Sequence, residues 1–260
     1  WALADRAEAA GVELLTNAYA IAALVEDRAV RGVVVATRWG PVALMAHVVI
    51  DATGDGDIAA FAGADAAYGS EREHAVMYAY LPQVAAPGQS RNVKTSMADT
   101  SNVQDYTRML MAERRRGAEG DHDHGIYLGP RESRHIKGDV ILTLTDQLVL
   151  RAFPDVIAVA FSNHDMKGES TSDWIRMGFQ APNIEIEIPY RALLPGSLDN
   201  TLVVGKAYSA THDALAGPRM MPDLENLGGV AALAAAMAVN AGTRVRDVDV
   251  RALQTRLVAE

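Results

Sequence analysis

LVVGKAYSATHDALAGPRMMPDLENLGGVAALAAAMAVNA, residues Leu202–Ala241, is the stretch from which the rest of this chain can be read. Leu202, Val203 and Val204 form a short apolar run that stops at Gly205, as a buried strand does. A polar loop follows, Ala207–Pro222, carrying His212, Asp213 and Arg219. Asn226-Leu227-Gly228-Gly229 then opens a run from Val230 to Val239 that contains only Ala, Leu, Met and Val. Apolar on every side, that run predicts a buried helix. Counted from Leu227 to Ala241 it is too short to cross a membrane, which takes about 20 residues. Glycines in its first turn would expose N–H groups at the positive end of the helix dipole, a place suited to an anion or the electron-rich edge of a cofactor. Close packing of the helix on a strand explains the same two glycines equally well.

The 260 residues suffice for one large domain or two small ones. A net charge of −9, with Arg114-Arg115-Arg116 the one basic cluster, argues against a nucleic-acid partner. That arginine cluster reads as a solvated helix end. The chain has no cysteine, so disulfides, thiolate chemistry and cysteine-ligated clusters are excluded on it. A cytoplasmic location is the expectation that fits. No apolar stretch near Trp1 resembles a signal peptide.

In chain order, Ala2–Ala10 predicts a helix stopped by Gly11, and Val12–Leu15 a short strand. Ala18–Val25 and Val30–Thr37 predict a hairpin turning at Glu26-Asp27-Arg28, with Val42–Met45 the third strand of a meander. His47–Ala52 is an apolar strand ending at Thr53-Gly54-Asp55-Gly56-Asp57, and Ile58–Ala62 a short helix. Ala75–Pro82 reads as a strand, Pro87–Ser101 as a loop, and Asn102 as the cap of a helix reaching Arg116. Ile141–Thr143 and Val156–Phe161 read as strands, with a helix over Thr145–Arg151 between them. In Asn183–Tyr190 the isoleucines 184, 186 and 188 point one way and Glu185 and Glu187 the other, a half-exposed strand. Asp247 or Asp249 starts a last helix with Leu253 and Leu257 inward.

Gly54-Asp55-Gly56-Asp57-Ile58-Ala59 satisfies G-x-G-x-x-A after a strand, but Gly63 leaves room for only a turn or two of helix and no acidic residue follows at a second strand. It is therefore not the primary dinucleotide fingerprint. Asp121-His122-Asp123-His124 invites a metal-dependent hydrolase reading, yet no third ligand group stands beside it, and a polar loop is the better account. Of the seven histidines, His212 is the candidate acid or base because it precedes the glycine-opened helix. Gly-x-Ser-x-Gly is absent, so no nucleophile elbow can be argued.

Together these segments resemble the FAD-dependent oxidoreductases of the two-dinucleotide-binding flavoprotein superfamily. Val48–Asp57 is similar to that family's DATGDGD segment, Arg131–Gly138 to RESRRI-G, and Ile188–Pro195 to IPYRSLLP. Leu202–Lys206 with Ser209–Ala214 resembles LLVAGR…SATHEA, and Arg219–Pro222 with Leu227-Gly228 the closing R-VMPT…MGQAAG. Gly229 stands where the family usually has Gln, and Ala232 where it usually has Gly. The family's Gly-rich first strand–turn–helix and its ribose-binding acidic residue have no counterpart, so an N-terminal segment or a partner chain is expected to complete the FAD site. This chain alone is then expected to be inactive.

The resemblance implies a mixed α/β fold: an incomplete Rossmann-like FAD-binding domain with a β-meander (residues 1–65 and 191–260) and a substrate-side region (66–190). It implies FAD as cofactor, with Thr53, Gly54 and Asp55 along it, Gly205 beside the ribityl chain, and Leu227, Gly228 and Gly229 aiming N–H groups at the flavin. Arg131, Arg134, His212 and Arg219 would face a small organic substrate, and no metal, nucleic acid or membrane is expected. The alternative is a non-catalytic partner or scaffold subunit that keeps the fold without binding FAD.

Overall fold

The computed structural model describes residues 2–70, 76–86, 89–94, 102–115, 122–123, 128–168, 170–178 and 184–259. Helix α1 (Ala2–Ala9) stops before Gly11, whose φ of +71° suits glycine. Strands β1 (Tyr19–Glu26), β2 (Ala29–Thr37) and β3 (Gly40–Met45) form an antiparallel meander. Asp27 and Arg28, both at positive φ, make the tight turn between the first two, as the twist of a hairpin requires.

Strand β4 (Val49–Asp51) and helix α2 (Asp57–Phe61) follow, then β5 (Ala66–Tyr68), β6 (Tyr80–Ala86) and β7 (Gln89–Lys94). Helix α3 (Val103–Arg115) is capped by Asn102, whose Oδ1 accepts the N–H groups of Gln104 and Asp105. Next come β8 (His122–Asp123), β9 (Arg134–Ile136), α4 (Leu144–Leu148), β10 (Val156–Ala160), α5 (Asp173–Arg176) and β11 (Ile186–Pro189). Strand β12 (Thr201–Val203), α6 (His212–Leu215), α7 (Met221–Ala241) and α8 (Val250–Ala259) complete the chain.

The pairing that positions the site joins two segments far apart in the sequence. Strand β12 lies parallel to β4, with Thr201 opposite Val49 and Val203 opposite Asp51. Asn200 locks this pair to the meander: its Oδ1 accepts the N–H of Val30, and its Nδ2 donates to the carbonyls of Val30 and His47. One core lies between α7, α8 and the antiparallel β10–β11 pair; a second packs β4, α2 and β9 under the meander. Strand β9 pairs with β5, and β6 is the middle strand of a sheet with β7 and β8. The helix-and-strand mixture is that of an α/β fold, as expected.

Several local expectations are corrected. Val12–Leu15 is exposed coil, because among the described residues no strand pairs with it. Ile141–Thr143 shrinks to one parallel bridge between Leu142 and Ala210. The strand expected from Ala75 begins at Tyr80, and the expected loop 87–101 contains β7. Of Asp121–His124, the two end positions lie outside the described residues, and the middle two form β8.

The principal correction concerns α7. It begins at Met221, six residues before Leu227, and runs for 21 residues. Pro222 at its start needs no N–H partner and Asp223 suits the positive end, so the turn before the glycines is already helical. The donors of Leu227, Gly228 and Gly229 therefore sit inside the helix, where N–H groups are paired; the unpaired ones belong to the first turn after Met220. Nor is α7 buried all round: Asp223, Leu227, Val230, Ala231, Ala234 and Ala238 make one inner stripe, while Ala232, Ala236 and Val239 are exposed. Among the described residues, α7 is long and apolar enough to cross a bilayer by length and composition, a property it shares with core helices of its kind.

Candidate active site

Strands β4 and β12 end side by side, and each passes into a turn at a glycine with positive φ: Gly54 (+83°) and Gly205 (+77°). A side chain added at Gly205 would meet the Cα of Gly54 at 3.9 Å, so two bare backbone turns face one another at the carboxyl edge of the pair. In open α/β sheets that edge is where ligands bind.

The turn after β4 is held from beneath. Asp51 is buried; its Oδ1 accepts from the N–H (3.1 Å) and hydroxyl (2.7 Å) of Thr53, and its Oδ2 from the N–H of Ala59 (2.9 Å). The Thr53 hydroxyl in turn accepts the N–H of Asp57. Lys206, one residue past Gly205, donates Nζ to the Gly54 carbonyl (2.5 Å) and to Asp55 (2.6 Å). Arg134 reaches the same turn, donating to the Asp55 carbonyl (3.2 Å) and the Asp57 carboxylate (2.7 Å). Gly56 is needed for packing, since a Cβ there would lie 2.7 Å from Ile136.

Beyond the turn lies a buried ionisable cluster. Glu132, with a side chain 0% exposed, receives His212 Nδ1 at 2.8 Å from both carboxylate oxygens and His135 Nε2 at 2.7 Å from Oε1. The N–H of Met77 donates to its Oε2 at 2.7 Å. Burial pushes the Glu132 carboxyl up, but the bonds from His135 and His212 and their charge outweigh it, and the group is held below the usual range. Such a carboxylate favours the Nδ1–H form of His212.

Arg219, 9% exposed, donates to the carbonyl (2.6 Å) and carboxylate (3.3 Å) of Asp165, while its Nε is buried without a partner. Burial, with the charge of Arg131 adding to it, lowers its pKa from the usual value. The charges of Arg131 and Glu132 act on Arg219, and those of Asp213, Arg219, Asp165 and His212 act on His164. One charged neighbourhood therefore spans β9's approach, the 164–165 turn and the start of α6. His164 is pushed down by burial, against the pull of Asp213, and its Nε2 has no partner. Arg131 donates to the Tyr78 carbonyl and lies 5.2 Å from the centre of that ring. Asp213 accepts from the hydroxyls of Ser170 and Thr171, anchoring α6 to the segment before α5.

The model of the FAD dependent oxidoreductase family matches this chain over residues 2–126 and 103–257. The chain belongs to that family. FAD is accordingly its cofactor and oxidoreduction its class of chemistry. No curated protein and no solved structure matches it.

In this FAD-dependent oxidoreductase both turns carry bare backbone at positive φ, at Gly54 and Gly205, and Lys206 Nζ lies 3.0 Å from where a Cβ on Gly54 would stand. The unpaired N–H groups of α7 belong to its first turn, not to Leu227–Gly229. Of the arginines singled out in the sequence, Arg131 and Arg219 share a neighbourhood with His212, whereas Arg134 braces the 55–57 turn. Sequence reasoning missed Asp51, Glu132, His135 and Lys206. For Glu132 the available signal was a glutamate flanked by turn residues in a segment otherwise rich in basic groups. Among the described residues, no group of three or more His, Asp or Glu is arranged to hold a metal ion. A cavity of about 520 Å³, bordered by Arg31, His47, Asn200 and Arg244, opens at the opposite, amino end of the β4–β12 pair.

Proposed function

We propose that this protein moves a hydride between a small organic substrate and FAD, with His212 handling the accompanying proton at Nε2. The observation that carries this reading is the Glu132–His212 pair: a buried carboxylate orienting one imidazole, beside a turn region suited to a dinucleotide. Thr53, Gly54, Asp55 and Gly205 would hold the cofactor, and bound FAD would supply the electron-accepting ring. Arg219 and Arg131 would orient the substrate's polar group, and the low exposure of Arg219 keeps competing water away from it. Residues 1–65 and 191–260 would serve the cofactor, and 66–190 the substrate.

The test is spectroscopic and kinetic. The complete protein, with any segment or partner that finishes the FAD site, should retain a flavin spectrum after incubation with FAD and removal of the excess. His212→Gln should retain it too, while losing roughly 10²–10⁴-fold in kcat. Failure of the native protein to retain flavin would favour a non-catalytic subunit. Full activity in the variant would remove His212 from the mechanism.

A further inference from the structure

The carboxylate of Glu132 serves two imidazoles, and the mechanism proposed above uses only one of them. His135 gives its Nε2 to Glu132, but its Nδ1 is buried with no partner. So is the hydroxyl of Ser209. His135, His212 and Ser209 border one cavity, together with Ala67, Lys137 and Thr211. Its free volume of about 20 Å³ accommodates one water molecule, for which roughly 10–15 Å³ is enough. His135 and Ser209, each with a buried orphaned polar atom, line the same water-sized cavity, and leaving both atoms unsatisfied would cost about 1–3 kcal/mol each.

We propose that this cavity binds a water joining His135 Nδ1 to Ser209 Oγ, and that His135 is a second proton-handling residue, coupled to His212 through Glu132. The inference rests on the reading of His212 as a proton carrier. One carboxylate supports one adjacent imidazolium far better than two, since the like charges repel at this separation. When the His212 imidazolium releases its Nε2 proton to a substrate anion, a proton from solvent, carried by the cavity water, adds to His135 Nδ1. The Nδ1–H of His212 and the Nε2–H of His135 stay on Glu132 throughout. One proton leaves the cluster and one enters it, so the charge facing Glu132 is unchanged. Among the described residues, the other charged groups near the cluster are Asp213, His164, Arg219 and Arg131, with Lys137 at the cavity.

The experiment is a pH titration of the whole chain, ¹⁵N-labelled at histidine, by NMR without flavin; it does not depend on whether flavin binds. The ring signals of His212 and His135 should each follow the same two-step curve, the signature of coupled sites. In His135→Gln the His212 curve should collapse to a single step. A long-lived water should show cross-relaxation to the Ala67 methyl. Independent single-step curves in the native protein would overturn the coupling, whether or not the variant folds. So would a His212 curve that is the same in native protein and variant. A dry cavity would overturn the proton entry at His135. Loss of flavin binding with coupling intact would instead count against the proposed function alone.

Discussion

Glu132 and His212 stand 80 positions apart in sequence, yet His212 Nδ1 lies 2.8 Å from both oxygens of the Glu132 carboxylate. The bond is made where the approach to β9 meets the start of α6, and the Met77 N–H and His135 complete the set of donors around the carboxylate. A buried anion so surrounded stabilises the fold as well as orienting a side chain, and the two roles can be separated experimentally.

Glu132→Gln should destabilise the protein by roughly 3 kcal/mol, because an amide turns an N–H toward donors that are already N–H groups. Urea unfolding at neutral pH measures the loss. A change under about 0.5 kcal/mol would show that the cluster adds little to stability.

The pH dependence follows from the depressed Glu132 carboxyl. Its stabilising contribution is complete above the ordinary value of 4.5 and disappears as pH falls through the lower, folded-state value. Stability followed from about pH 6 down to about pH 3 should therefore fall more steeply in the native protein than in Glu132→Gln. Parallel curves would contradict the assignment.

Asp51→Asn should cost about 1–3 kcal/mol, since one of its two accepting oxygens becomes a donor against the N–H of Ala59 or of Thr53. It should also weaken FAD retention, because Thr53 and Gly54 depend on it for their geometry. Chemical denaturation and flavin titration report the two effects separately.

Glycine substitutions distinguish turn from helix. Gly56→Ala should lose about 2–4 kcal/mol, from positive φ and a Cβ 2.7 Å from Ile136. Gly228→Ala should gain about 1 kcal/mol, as its Cβ meets nothing within 4 Å and the position is interior to α7. Thermal melts of the two variants shifting in the same direction would overturn this account of the glycines.

What the sequence determined by itself was local or periodic. The Asp27-Arg28 turn, the alternation at Ile186 and Ile188, the cap at Asn102 and the inward Leu253 depend on residues a few positions apart, and each was legible. The ordered segments also resembled one family, to which the chain belongs. The start of α7 was misjudged because glycine propensity was weighed without the packing of Leu227 and Val230, which outweighs a cost of about 1 kcal/mol per glycine. Tertiary structure alone decided the partners of the ionisable groups. Adjacent His212 and Asp213 part company, one to Glu132 and the other to Ser170 and Thr171, and Asn200 closes on Val30 across 170 positions. A charge buried from water must find its counterpart wherever the fold delivers one, and sequence spacing carries no record of that meeting.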